Sequence, residues 1–191
     1  NNLDYLEVKT KIMKYLEKQD RFSSQSQVAQ LILNKCQDKS LILDVGCSSG
    51  FLGKKLKGKK FRIYGLDNQP EAIKEAKPFY EKVFLADLET YSLEDNLKFD
   101  LMVFADVLEH LKNPQKVLTN FLTNLKDDGI VIISLPNIAN MATRLMLLTG
   151  RFNYMDAGIM DRTHLRFFTL KTAKEFIQQS NLKIESVKVT P

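Results

Sequence analysis

The sequence predicts one α/β domain, residues 1–191, built on a doubly wound and mainly parallel sheet with flanking helices. Two observations predict this class. Short apolar runs of strand length alternate with longer segments of helical apolar spacing, which is the pattern of parallel strands joined by helices. The chain also has 191 residues, of which 44% are hydrophobic and 27% charged, as expected of a globular domain with a full core.

Residues 1–38 are predicted to form helices ahead of the sheet, because apolar residues recur near helical spacing up to Leu16 and again from Val28. The polar stretch Asp20–Gln27 separates the two stripes. Residues 39–135 are predicted as the core of the domain. Six apolar runs along the chain are predicted as strands: Leu41–Val45, Phe61–Leu66, Lys82–Ala86, Asp100–Phe104, Gly129–Ser134 and Lys183–Val189.

Turn and cap residues separate the predicted helices from the strands. Gly58 closes the lysine-rich helix end at Lys54–Lys60. Asn113-Pro114 opens a helix, with asparagine as N-cap and proline at the first position. Asp127-Asp128-Gly129 is predicted as the turn before the fifth strand, and Thr169 as the cap of the last helix.

Residues 136–169, called the insertion below, are irregular and polar, and are predicted to cover the substrate site. Within the insertion, Met141–Leu148 is apolar and is predicted to be a short helix over the pocket. A role at a membrane surface or around a lipid tail is the alternative for this stretch. Residues 170–191 are predicted as a C-terminal helix and strand.

The composition narrows the function classes. Cys36 and Cys47 are too few for a disulfide scaffold and fit a reducing, cytoplasmic compartment. With His110 and His164 as the two histidines, a zinc hydrolase with several histidine ligands is not expected, and no metal site is predicted. No apolar run is long enough to span a membrane or to mark secretion. The first residue is Asn1 rather than methionine, which is typical of a processed or excised chain.

The most informative stretch is the glycine-rich turn after the first strand, Leu43–Gly53. Glycines in such a turn let backbone approach a ligand closely, and the N–H groups of the following helix point at it. The phosphate-binding pattern G-x-x-x-x-G-K-[ST] is missing, and Ser48 replaces the second glycine of the dinucleotide pattern. What remains is D-x-G-x-x-x-G, from Asp44 to Gly50.

Three further segments follow strands of the same predicted sheet. Asp67 ends the second strand, where an acid hydrogen-bonds ribose hydroxyls, although a turn or helix-capping aspartate is the alternative. Asp87-Leu88 follows the third strand and could meet an adenine ring. Phe104–Asp106 ends the fourth strand and should line the same crevice.

These four segments, in this order, resemble the class I S-adenosylmethionine-dependent methyltransferases over roughly residues 40–190. The segments Leu43–Gly50 and Asp106–Leu111 (D-V-L-E-H-L) carry the resemblance most specifically. The resemblance implies a Rossmann-like sheet of seven strands with the last one antiparallel. Because only six runs are predicted here, the last strand is expected to be missing or the edge to differ. An exposed edge would favour pairing with a second copy, a homodimer.

The resemblance also implies where the cofactor, S-adenosylmethionine, would bind. It places Asp44, Gly46, Cys47 and Gly50 around the methionine moiety, Asp67 on the ribose, Asn68 beside the adenine, Asp87 and Leu88 at the adenine edge, and Ala105 and Asp106 at the sulfonium end. The family more often has glycine at the position of Ser48, and a modest change in geometry is expected there.

The cofactor's methyl group sits on a positive sulfur and is already activated, so the protein mostly has to position a nucleophile, without a metal. A hydroxyl acceptor would gain from a general base, and imidazole changes charge near neutral pH. His110 and His164 are therefore the predicted catalytic residues. The alternatives are packing beneath the cofactor for His110 and a loop-fixing role for His164.

The predicted function is methyl transfer to an oxygen of a small molecule. A sugar or glycan intermediate is the preferred acceptor because the insertion is polar and carries Arg144, Arg151, Arg162 and Arg166, which could read an anion. These arginines could equally pair with Asp156 and Asp161. A quinone-like or phenolic ring and a non-catalytic cofactor-binding module are the alternatives. A nucleic-acid acceptor is not expected, because the net charge is only +5 and no basic stripe occurs.

Overall fold

The computed structural model of the protein describes residues 24–189. It contains a five-stranded sheet with the order β3-β2-β1-β4-β5, in which every neighbouring pair is parallel. The strands are β1 Leu41–Val45, β2 Arg62–Asp67, β3 Lys82–Leu85, β4 Phe99–Ala105 and β5 Leu125–Ser134. The predicted α/β class with a doubly wound parallel sheet is confirmed.

Six α-helices accompany the strands in the described part of the chain. They are α1 Ser24–Lys35, α2 Phe51–Lys55, α3 Pro70–Ala76, α4 Pro114–Leu122, α5 Met141–Leu148 and α6 Leu170–Gln179, with short 3-10 turns at Lys77–Phe79 and Leu108–His110. Helix α1 begins inside the polar stretch that the sequence suggested as a break. The helix predicted before it lies outside the described residues.

The sheet has a hydrophobic cluster on each face, which is why its central strands read as continuous apolar runs. On β4, Met102 and Phe104 belong to one cluster, whereas Leu101 and Val103 belong to the other. This alternation follows the period of two of a strand. Helix α4 packs Phe121 against Phe104, with ring centroids 6.1 Å apart.

The prediction of a strand at Lys183–Val189 is wrong. Residues 182–189 have no regular secondary structure, and Val187 and Val189 are exposed. In a strand, their alternation of polar and apolar residues would place only a few apolar side chains on one face. No described strand pairs with them. Glu185 instead pairs with Lys35 of α1 at 3.3 Å.

The predicted turn at Asp127–Gly129 is also wrong, because these residues lie within β5. The β4–β5 register shifts between Phe99 and Leu101, which pair with Leu125 and Ile130 respectively. The extra residues of β5 therefore form an irregularity inside the strand, and the turn-forming sequence marks that irregularity.

Of the two predicted N-caps, one forms its capping hydrogen bond and the other does not. Thr169 caps α6 as expected, with its side chain accepting from the backbone N–H of Thr172 in a capping box. Asn113 stands at the N-cap of α4, but its side chain makes no capping bond. The Glu89 carboxylate instead accepts from the backbone N–H groups of Lys112 and Asn113.

We predict that Gly53→Ala destabilises the protein, although alanine is the better helix former by about 1 kcal/mol. A Cβ on Gly53 would stand 2.6 Å from Cε2 of Tyr80 and 2.9 Å from the backbone oxygen of Phe79. Overpacking of this kind costs about 1–3 kcal/mol, which lowers Tm by roughly 2–4 °C per kcal/mol. Urea and thermal unfolding measure the change.

The control is Gly58→Ala. Gly58 has φ +83° and open space around it, so this variant reports backbone strain alone. A rise in stability of Gly53→Ala, as helix propensity alone would give, would contradict the close approach to Tyr80.

Candidate functional site

The candidate site lies at the carboxyl ends of β1, β2 and β4. The strand order reverses between β1 and β4, and ligands of open α/β sheets bind in the crevice at such a point. The loop after β1, residues 46–50, runs across this end of the sheet. The backbone N–H groups of Gly46 and Cys47 both donate to the carbonyl of Leu66 on β2, at 2.7 and 3.0 Å.

This loop needs glycine at two of its positions. Gly46 and Gly50 have φ of +75° and +85°, in the left-handed region that favours glycine. A Cβ on Gly46 would also stand 2.4 Å from Cγ2 of Val107. Ser48 adopts φ +46°, so the serine that departs from the family's usual glycine still takes a glycine-like conformation.

Asp67 is the acid that joins the loop to β2. It is 9% exposed, and its two carboxylate oxygens accept from the backbone N–H groups of Ser48 (2.8 Å) and Gln69 (2.9 Å). The bond to Gln69 is the turn that the sequence offered as the alternative, whereas the bond to Ser48 places this acid against the glycine loop. The ribose role stays a prediction.

Asp44 is buried beneath the loop, with 4% of its surface exposed. The hydroxyl of Tyr80 donates to its Oδ2 at 2.6 Å and in turn accepts from the backbone N–H of Gly53 at 3.2 Å. Burial raises the pKa of Asp44 to about 7, the Tyr80 hydrogen bond lowers it, and the charge of Asp67 raises it further. Burial also raises the pKa of the Cys47 thiol, which therefore stays protonated.

The three residues predicted near adenine differ in exposure. Asn68 and Asp87 are exposed, and Oδ1 of Asp87 accepts from the backbone N–H of Glu89 at 2.9 Å. Leu88 is 8% exposed and belongs to the main hydrophobic cluster, so it offers little surface to a ring. The adenine roles stay predictions.

Asp106 follows β4 in a left-handed conformation, with φ +55°. Its carboxylate accepts from the Ser24 hydroxyl at 2.6 Å and from the Ser134 hydroxyl. It therefore connects the start of α1 to the ends of β4 and β5. Ala105, beside it, is half-buried.

His110 and His164, the two predicted catalytic residues, are brought together by the fold. Their ring centroids are 4.7 Å apart in an edge-to-face arrangement. His110 is exposed, whereas the His164 side chain is only 6% exposed. The contact requires the end of the insertion to fold back onto the segment after β4.

Glu109 is the third member of this group. Its side chain is 1% exposed, and its Oε1 lies 4.0 Å from Nε2 of His164. Burial raises its pKa to about 8, with a smaller contribution from the charge of Asp106. The backbone oxygen of Glu109 accepts from the N–H groups of Leu165 and Arg166, which holds the insertion in place.

Two of the four insertion arginines have local partners. Arg162 pairs with Asp156 at 2.8 Å, and Arg166 donates to the backbone oxygen of Lys112 at 2.6 Å. Asp161 accepts instead from the backbone N–H and hydroxyl of Thr163. The insertion thus uses part of its charge to fold itself.

The insertion also exposes a large apolar surface. Helix α5 shows Met141, Leu145, Leu147 and Leu148, with exposures of 68%, 57%, 48% and 82%. A row of aromatic rings leads away from His164, with centroid distances of 6.3 Å to Phe167, 6.1 Å from there to Phe152, and 5.4 Å on to Tyr154. Within residues 24–189, no helix is both long and apolar enough to cross a membrane.

Sequence reasoning missed the roles of Tyr80, Glu109 and Ser24. Nothing in the sequence around Tyr80 marks it, because its contacts come from residues 27 and 36 positions away. Glu109 lies inside the D-V-L-E-H-L motif, which is itself the signal that could have identified it.

Known proteins resemble the chain as follows. The profile of a family described as "Methyltransferase domain" matches residues 15–187. Two curated relatives, both named ubiquinone biosynthesis O-methyltransferase, are 28% identical over 153 residues (Rickettsia bellii; 77% of this chain, 63% of that protein) and 27% identical over 121 residues (Glaesserella parasuis; 58% and 51%). The chain thus spans about half to two thirds of their length.

Among solved structures, a TehB-like SAM-dependent methyltransferase from Corynebacterium glutamicum superposes with a TM-score of 0.56 at 22% identity. The match covers 71% of this chain and 74% of that one. At this identity the likeness concerns the fold.

We predict that the buried Asp44 makes stability fall as pH rises from about 4 to about 7. In this window the folded chain keeps a proton that the unfolded chain releases, because the pKa is raised to about 7 from an ordinary value of 3.8. Between pH 5 and pH 8 the loss should be roughly 2–3 kcal/mol. Urea unfolding of the wild type and of Asp44→Asn at both pH values measures it.

Asp44→Asn should flatten this dependence, since the amide oxygen can still accept from Tyr80. Glu109 contributes with the same sign, so the difference between the two proteins isolates Asp44. Equal pH slopes for the wild type and the variant would rule out a strongly raised pKa at Asp44.

Proposed function

Because this chain belongs to the methyltransferase domain family, we propose that it transfers a methyl group from S-adenosylmethionine to an oxygen of a small-molecule acceptor. The family match confirms the class and the cofactor expected from the sequence. The observation that carries the proposal is the loop of residues 46–50, hydrogen-bonded to Leu66 and Asp67 at the carboxyl edge of the sheet.

The proposed site assignments follow the sequence predictions. The loop with Asp44, Gly46, Cys47 and Gly50 would hold the methionine part, Asp67 the ribose, and Ala105 with Asp106 the sulfonium end. The carboxylates of Asp44, which is buried, and of Asp106, which is half-buried, suit a cofactor that carries an ammonium and a sulfonium charge, since opposite charges attract more strongly where water is partly excluded.

In the proposed reaction the acceptor oxygen forms a bond to the methyl carbon while the bond from that carbon to sulfur breaks. The products are the methylated oxygen, S-adenosylhomocysteine and one proton. His110 follows Asp106 by four residues, and the fold brings His164 against His110 and Glu109, so the two histidines are the proposed acceptors of that proton.

The exposed apolar surface of the insertion favours a ring-bearing acceptor with an apolar part. Phe152, Tyr154 and Phe167 are exposed aromatic residues in contact with one another that could pack against such a ring, and α5 exposes further apolar side chains. The names of the curated relatives point to the same chemistry, a phenolic or quinone-like acceptor. We therefore propose this class ahead of the sugar or glycan intermediate.

The prediction of a sugar or glycan acceptor depended on the four insertion arginines, which could bind an anion. With Arg162 paired to Asp156 and Arg166 bonded to a backbone oxygen, that support is reduced by half. A cytoplasmic location and a homodimer, both expected from the sequence, stay part of the proposal. So does the division of the domain into residues 1–38, 39–135, 136–169 and 170–191.

We predict that S-adenosylmethionine and S-adenosylhomocysteine raise the thermal midpoint, whereas ATP and NAD do not. A ligand at a hundredfold excess over its Kd adds about 2.7 kcal/mol, which for a domain of this size is roughly 5–10 °C. Differential scanning fluorimetry measures the shift.

Asp67→Asn should lose most of this shift, because its carboxylate joins the glycine loop to β2. The matched control is Asp128→Asn, at the opposite end of the sheet, which should keep the full shift. If neither sulfur cofactor shifts the wild type, the proposed cofactor site is refuted.

We further predict turnover of alkyl 3,4-dihydroxybenzoate esters, measured as S-adenosylhomocysteine release. The kcat/KM should rise with the length of the alkyl chain, and Leu148→Ser, at an 82% exposed position, should weaken that rise without changing kcat for the ethyl ester. His164→Asn should lower kcat by about 100-fold or more. Preference for UDP-hexoses over the phenols would favour the sugar acceptor, and no turnover of either would favour a non-catalytic module.

A further inference from the structure

We infer that Glu109, His110 and His164 form a binding site for a divalent metal ion such as Zn²⁺. No metal was expected from the sequence, which separates Glu109 and His110 from His164 by more than 50 residues. The place of this metal beside the acceptor rests on the proposed function, whereas metal binding itself can be tested without it.

The three side chains supply a suitable set of donors. One ligand atom from each residue lies within 4.8 Å of the other two. Metal–ligand distances of about 2.0–2.2 Å put ligands about 3–4 Å apart, so a shift of about 1 Å would close the site. Two imidazoles and one carboxylate leave further coordination positions open for the substrate.

The hydrogen bonds of His110 leave its Nε2 free to bind a metal. The Thr163 hydroxyl donates its single hydrogen to Oδ1 of Asp161 at 2.6 Å. It can therefore only accept from Nδ1 of His110, 3.1 Å away, and the backbone oxygen of Thr163, at 3.3 Å, can also only accept. Nδ1 therefore carries the hydrogen, and in the neutral ring Nε2 has the lone pair.

His164 follows the same pattern. Its Nδ1 lies 3.2 Å from the backbone oxygen of Ile159, which can only accept a hydrogen bond. Nε2 is then again the atom with the lone pair, and it faces Oε1 of Glu109 at 4.0 Å. A backbone carbonyl that accepts from the other ring nitrogen and fixes the ring in this way is typical of metal-binding histidines.

Glu109 supplies the independent observation. It is 1% exposed, and its Oε2 has no hydrogen-bond partner among the described residues. A buried carboxylate oxygen without a partner is costly, and such groups are normally paired or coordinate a metal. A cation between Glu109 and the two histidines, bound by both carboxylate oxygens, would satisfy this oxygen.

A bound cation would change the roles of the two histidines in the proposed reaction. Their Nε2 atoms would be ligands, and the acceptor hydroxyl would bind at an open coordination position. The cation would lower the pKa of that hydroxyl, so that its proton leaves to water rather than to imidazole. Two neighbouring oxygens on a phenolic ring could both coordinate.

The test uses the whole chain without a polyhistidine tag. Zn²⁺ stoichiometry is measured by elemental analysis, Zn²⁺ affinity by competition with a chromophoric chelator, and the ligand field by the visible absorption of bound Co²⁺. We expect one equivalent of Zn²⁺, with the affinity lowered at least about 100-fold in Glu109→Gln and in His164→Asn. Thr163→Val removes only the orienting hydroxyl and should weaken binding about 10-fold.

The matched control is Glu89→Gln, which alters another carboxylate near the same loop, one that accepts from Lys112 and Asn113. Cys36→Ser excludes binding by a half-buried thiol. Both variants should keep the wild-type affinity. Substoichiometric Zn²⁺ in the wild type, or unchanged affinity in His164→Asn, would overturn the inference.

The thermal shift with S-adenosylmethionine is measured on the same samples. Retention of that shift in Glu109→Gln shows that the variant is folded. If Zn²⁺ binds but the cofactor gives no shift, the proposed function fails and the metal site stands. If the cofactor gives its shift but Zn²⁺ does not bind, the metal inference alone fails.

Discussion

The hydrogen bond between Tyr80 and Asp44 is the interaction on which the arrangement of the site depends. The Tyr80 ring fills the space left by three glycines, since a Cβ on Gly50, Gly53 or Gly65 would come within 3.1 Å of it. Its hydroxyl then binds both Asp44 at the end of β1 and the backbone N–H of Gly53 in α2. One side chain therefore fixes the positions of two strands, the glycine loop and the helix that follows it.

The site brings acidic side chains together in buried positions before any ligand is bound. Burial raises the pKa of Asp44, and the charge of Asp67 raises it further. Glu109 is in the same position with respect to Asp106. Such groups are unfavourable in the folded chain alone, and a cationic cofactor or a metal ion would compensate for them. The predicted pH dependence of stability and the proposed affinity for cations thus have one common cause.

The insertion completes the site from the other side. Backbone N–H groups of Leu165 and Arg166 bind the carbonyl of Glu109, and Thr163 orients His110. An isolated bridge joins Asn137 to Phe168, so both ends of the insertion are attached close together. Its exposed apolar residues lie between these attachments. The same segment therefore both builds the proposed catalytic group and presents the surface proposed to meet the acceptor.

The sequence by itself determined the parallel sheet, the glycine loop and Asp67, because these depend on local patterns: apolar runs, glycines that need positive φ, and an acid at the end of a strand. It could not determine that Lys183–Val189 stays out of the sheet or that Asp127–Gly129 lies inside a strand, since pairing partners decide both. Tertiary structure alone brought Tyr80 to Asp44, and His164 to Glu109 and His110. Such contacts join residues tens of positions apart, and no local pattern records which distant side chain will fill a given space.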